Sequence, residues 1–186
     1  MRSLWDSAEA AGYPGDLGQR VYSSRLIGRE PSMVLHGGGN TSLKATRRDI
    51  FGEEEPLLYV KGSGWDLASI DEAGFSPCRI GHLRRLAGLE SLTDLRMASE
   101  LKGCMTDPSA PAPSVEAILH ALIPARFVDH THADALIAVT NTPGGRERIA
   151  EIYGDAVLDA MAETGLEAST FPAACPYDAT AILGEP

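Results

Sequence analysis

Hydrophobic and polar positions along the chain change period several times, and each change marks an expected element. Leu17, Val21, Leu26 and Ile27 recur near helical spacing, which predicts a helix over 16–29, with Asp16 as its cap and Pro31 as its stop. A helix over 3–11 precedes it across Pro14-Gly15. Val34-Leu35 reads as a short strand running into His36-Gly37-Gly38-Gly39-Asn40, and a second strand follows over 41–46. The polar stretch 47–56, with Glu53, Glu54 and Glu55, reads as a hairpin connection. Leu57-Leu58-Tyr59-Val60 is a buried strand ended by Lys61-Gly62-Ser63-Gly64, and 65–78 shows no clear period. Helices are expected over 79–88 and 91–103, then a proline-rich loop over 106–113 and a helix over 115–122 capped by Ser114. A strand over 127–131, a helix over 133–140, a turn at Thr142-Pro143-Gly144-Gly145 and a charged helix over 146–153 complete the pattern, which weakens from 156 onward. Strands alternating with helices define an α/β class with helices packed on a sheet. No internal repeat or linker interrupts it.

Composition narrows the function classes. The 186 residues carry 26 acidic and 16 basic side chains, a formal net charge of −10, so a basic footprint for nucleic acid is absent. No apolar run approaches the roughly 18 residues of a membrane span, and the N-terminus lacks the apolar core of a signal peptide, so neither membrane nor export is expected. Cys78, Cys104 and Cys175 make an odd count without a Cys-x-x-Cys, which points to small buried side chains in a reducing cytoplasm.

Three constellations carry candidate chemistry. In His130-Thr131-His132, positions i and i+2 of a strand point to one face, so two imidazoles can approach one metal ion, Zn²⁺ being well suited. The alternative is two surface histidines at a strand end. Glu116 and His120 lie i, i+4 on one helix face, and Glu116 is either a metal-facing acid/base or simply a carboxylate favoured at a helix start. The loops His36-Gly37-Gly38-Gly39-Asn40-Thr41-Ser42 and Lys61-Gly62-Ser63-Gly64 have the makings of an anion nest, with Asn40, Ser42 and Ser63 as further donors and Lys61 as a charge. Neither loop is a Walker A or a dinucleotide-binding fingerprint. The alternative for each is a tight turn.

Taken together and in order, HGGGNTS, KGSGWDLA, PSVEAILHA and FVDHTHADALIAVTN resemble the class II aldolase/adducin family, and most nearly the aldolase half of bifunctional rhamnulose-1-phosphate aldolase/alcohol dehydrogenases. The resemblance covers about 4–155. It implies a three-layer α/β/α fold around a central, largely antiparallel sheet, commonly in homo-oligomers. It implies a divalent metal, usually zinc, held by His130 and His132 and a third, downstream histidine. Glu116 would be the catalytic acid/base and a ligand of the resting metal, and Gly39, Asn40, Ser63, Gly64 and Ser114 would bind the substrate phosphate. The implied reaction is reversible retro-aldol cleavage of a ketose 1-phosphate, such as rhamnulose 1-phosphate, to dihydroxyacetone phosphate and an aldehyde. Relatives with this site also epimerise, decarboxylate or dehydrate, and the adducin branch acts through protein contacts.

The sequence departs from that pattern at one place. No histidine follows His132, so Cys175 and Asp178 are the remaining candidates for a third ligand. The expectation is an incomplete domain over 1–155 followed by a divergent segment over 156–186, as in a C-terminally truncated chain. Weak metal affinity and low or no aldolase activity are expected for these residues alone.

Overall fold

The computed structural model describes residues 3–153. The expectations for 156–186, including Cys175 and Asp178 as ligands, lie outside the described residues.

Helices α1 (Ser7–Ala10) and α2 (Gly15–Gly28) open the fold. Strands β1 (Asn40–Arg48) and β2 (Glu54–Lys61) form a hairpin, and a 3₁₀ turn at Glu72–Gly74 leads into β3 (Phe75–Arg79). Helices α3 (Ile80–Ala87), α4 (Asp94–Gly103) and α5 (Ala117–Leu122) follow, then β4 (Phe127–His130), α6 (Asp134–Thr140) and α7 (Gly145–Tyr153). Among the described residues the sheet has four strands in the order β3-β2-β1-β4, every neighbour antiparallel.

Strand alternation sorts side chains into two cores. Leu58, Val60 and Cys78 face α3, α4 and α5, where they pack with Leu83, Leu101, Ala117 and Ala121. On the opposite face Val21 of α2 packs with Val34, Leu67, Ile70 and Phe75, against which Tyr59 rests. Helices therefore cover both faces of an antiparallel sheet, the three-layer arrangement expected. The sequence pattern erred in several places. Residues 3–11 hold a single helical turn, capped by the Asp6 carboxylate, which accepts from the Ala8 and Glu9 amides. Val34-Leu35 is irregular: Val34 fills the α2-side core from a loop, so the first glycine loop precedes β1 instead of following a strand. Helix α2 begins at Pro14 without a side-chain cap, and Asp16 lies in its first turn. Phe75–Arg79, without a clear period, is an edge strand. Its Pro77 is tolerated there, and the outer side of β3 is closed by Arg79 N–H donating to Cys104 O and Thr106 N–H donating to Pro77 O.

One charged contact ties β4 to α2. Arg20 is 1% exposed, its guanidinium 2.6 Å from the Asp129 carboxylate. Burial lowers the Arg20 pKa and Asp129 opposes that shift, so the carboxylate compensates a guanidinium held out of water. Arg20 also lies over the Phe127 ring. Asp129→Asn leaves this buried cation unpaired and is expected to destabilise the fold by about 3 kcal/mol in urea titration. Asp16→Asn, in the exposed pair with Arg126, is expected to change stability by less than about 1 kcal/mol. Equal effects of the two substitutions would refute the distinction.

Candidate functional site

The β1–β4 register places Asn40 opposite His130 and Ser42 opposite Val128, and all four face the α5 side of the sheet. Helix α5 lies across them. Its N-cap residue is Glu116, not Ser114, and Ser114 sits in the preceding turn, where its hydroxyl accepts from the Glu116 amide at 3.4 Å. The His120 amide donates to the Glu116 carbonyl at 3.0 Å, so the expected i, i+4 relation holds across the cap.

Two side-chain contacts join α5 to β1. The Asn40 amide donates to the Glu116 carboxylate at 3.1 Å, and one turn on His120 Nδ1 lies 2.8 Å from Ser42 Oγ. Asn40 is 1% exposed. The Ser42 hydroxyl is therefore engaged with His120 and is not a donor of the glycine loop, contrary to expectation. His120 is fully buried and its pKa is lowered to about 3, first by burial, then by the neighbouring His130, Lys44 and Arg20. It is neutral at physiological pH.

Beyond β4 the His132 amide donates to Met33 O and the Asp134 amide to Ser32 O, which holds the segment against the loop before β1. The His130 and His132 ring centroids are 5.0 Å apart, edge to face. The first glycine loop wraps this pair. A Cβ on Gly38 would stand 3.3 Å from His132 Nδ1. Gly39, at φ +68°, passes so close to β4 that a Cβ would meet the His130 carbonyl at 3.0 Å and Val34 at 2.5 Å, so a side chain is excluded on both counts.

The second loop converges on the first. A Cβ on Gly37 would contact the Gly64 backbone at 3.7 Å, and Lys61 Nζ donates to Gly37 O at 3.0 Å. Burial lowers the Lys61 pKa, while the Glu116 and Asp66 carboxylates act in the opposite sense. Ser63 N–H donates to Ala112 O, and Ser114 N–H to Lys61 O, linking the second loop to the segment before α5. Asn40 and Ser114 are buried, whereas Ser63 and Gly64 are exposed. The structure thus brings Glu116, His130, His132, Gly39, Asn40 and Ser114 to one end of the sheet, with Ser63 and Gly64 at the exposed margin. Ser42 and His120 emerge as supports. Their pairing has no local signal, because they are 78 residues apart.

The donor types, the imidazoles of His130 and His132 and the Glu116 carboxylate, are ones a divalent ion takes. The arrangement is partial, since among the described residues no three His, Cys, Asp or Glu side chains form a group that could hold a metal. His82 is engaged with Glu100 at 3.0 Å. A cavity of about 830 Å³ lies on the other face of the sheet, toward the β1–β2 turn, lined by Arg47, Tyr59, Phe75 and Arg79, and the site residues do not border it. Among the described residues no helix is long and apolar enough to cross a membrane.

Fold and site define an α/β domain that gathers a carboxylate, paired imidazoles and two backbone loops at one end of an antiparallel sheet. Residues 19–180 match the class II aldolase and adducin N-terminal domain, and the chain belongs to that family. A Bacillus subtilis (strain 168) protein named as the uncharacterized oxidoreductase YuxG is 39% identical over 155 residues, 83% of this chain and 22% of the relative. This chain therefore spans about a fifth of that relative's length. The solved N-terminal class II aldolase domain of a conserved Thermoplasma acidophilum protein superposes with a TM-score of 0.75 at 43% identity, over 83% of this chain and 71% of that one.

The buried neutral His120 gives a pH signature. Its folded pKa lies below the ordinary value of 6.5, so as pH falls from 6.5 toward 3 the unfolded state takes up a proton that the folded state does not. Stability is expected to fall by up to about 1.4 kcal/mol per pH unit in that window from this group. Urea midpoints measured between pH 7 and 4.5 test this, and the His120→Gln variant is expected to show a shallower slope. An unchanged slope would contradict a buried neutral imidazole.

Proposed function

We propose that this domain is a divalent-metal, zinc-type aldolase acting on a ketose 1-phosphate, rhamnulose 1-phosphate being the leading candidate, with dihydroxyacetone phosphate and an aldehyde as products. The observation that carries this reading is the Asn40–Glu116 contact beside the Asn40↔His130 pair. It links the Glu116 carboxylate, through Asn40, to the strand pair that carries His130. Family membership supports the reaction class. A relative called an oxidoreductase, of which this chain matches 22%, supports the likeness to bifunctional aldolase/dehydrogenases.

In this reading His130 and His132 hold the ion, which when bound supplies Lewis acidity at the sugar carbonyl. Glu116 exchanges the proton at the adjacent carbon, its carboxylate aimed by the Asn40 amide. Gly39, Asn40, Ser63, Gly64 and Ser114 seat the phosphate, with Lys61 adding positive charge between the loops. A second reading, a non-catalytic adducin-like interaction module, draws on the lack of a three-residue metal group among the described residues.

Two measurements separate the readings. Calorimetric titration with Zn²⁺ is expected to show about one ion per chain, weakened by more than about tenfold in His130→Ala. Solvent deuterium exchange into the hydroxymethyl carbon of dihydroxyacetone phosphate, followed by NMR, is expected to require the metal and to fall about 10²–10⁴-fold in Glu116→Gln. A folded protein that neither binds the ion nor promotes exchange would favour the interaction module.

A further inference from the structure

The turn that opens the first glycine loop has an unusual backbone. Gly38 N–H donates to Leu35 O at 2.9 Å, which closes a four-residue turn with His36 at its second position. His36 has φ +51°, and among the described residues it is the one non-glycine residue in the left-handed region. Glycine takes that conformation readily and three glycines follow directly, so turn shape alone does not account for an imidazole here. The side chain is exposed, and among the described residues it has no hydrogen-bond or ion-pair partner. The two residues after it touch both sides of the site. Gly37 lies against Gly64 and accepts from Lys61, and Gly38 lies against His132 Nδ1.

We propose that His36 supplies the third imidazole of the zinc centre, turning inward about its own side-chain bonds to join His130 and His132. The proposal rests on the zinc reading of the site. Catalytic zinc takes three protein ligands and keeps a further position open. The chain has five histidines. His120 is fully buried with Nδ1 2.8 Å from Ser42 Oγ, and His82 on α3 is engaged by Glu100 of α4. His36 is the remaining one, and its side chain can move without unpacking a core. With one donor held in solvent until the ion arrives, no preformed group of three is expected, and among the described residues there is none. A third imidazole also leaves Glu116, whose carboxylate is fixed by Asn40, to exchange protons instead of completing the ligand set. The strained backbone at His36 is then part of aiming an imidazole from a tight turn.

The test is NMR of the histidine ring ¹⁵N signals, assigned by single substitution, as the chain is titrated with Zn²⁺. One equivalent is expected to shift the signals of His36, His130 and His132 and to leave His82 in place. Shifts at His130 and His132 without one at His36 would overturn the proposal and keep the zinc reading. No shift at any of the three would remove both. A second measurement separates ligation from turn shape. His36→Gly suits the left-handed backbone, so its urea midpoint is expected not to fall. Its calorimetric Zn²⁺ affinity is expected to drop more than about tenfold. An unchanged affinity in that variant would also overturn the proposal.

Discussion

The hydrogen bond from the Asn40 side chain to the Glu116 carboxylate is the contact on which the site depends. Asn40 stands at the first position of β1, where its backbone pairs with His130 across the ladder, and its side chain reaches up to the cap of α5. A single buried residue thus fixes the distance between a helix and an edge strand. The amide sets the direction of the carboxylate. Gly39 is the covalent condition for this contact, because its left-handed backbone lets the chain turn against β4 directly before Asn40.

Alternation along β4 sends successive side chains to different layers. Asp129 points to the α2 layer and neutralises buried Arg20, while His130 points to the α5 layer. The strand is therefore gripped from the face opposite the candidate site. Thr41 of β1 repeats the pattern, its hydroxyl 2.8 Å from that of Ser24 on α2 while its neighbours Asn40 and Ser42 face α5. Two polar anchors on one layer hold the two strands whose other sides carry the site.

The sequence pattern reached much of this and missed the rest for definable reasons. Leu57–Val60 was legible as a strand because four consecutive apolar residues between turn signals fit a sheet covered on both faces. Helix α2 was legible from spacing, since Val21 is buried and Leu17 and Ile27 pack against the same core. Phe75–Arg79 was not, because Pro77 depresses a strand reading and only edge position makes it acceptable. Val34-Leu35 misled because two apolar residues carry no period: Val34 is a core residue delivered by a loop, and Leu35 is exposed. At the site, residue types and spacing nominated Glu116 and the histidine pair. Nothing local announced that Ser42 would meet His120, since that pairing exists only after α5 crosses the sheet.

The long sequence separation of the Asn40–Glu116 pair, 76 residues, has a kinetic meaning. The β1–β2 hairpin closes a short loop and can form early, whereas the crossing of α5 and the addition of β4 both wait on large loop closures. A partly folded chain holding only the hairpin has its glycine turns but neither acid nor imidazoles beside them. Assembly of the candidate site is thereby tied to the closure of long loops and not to the local hairpin.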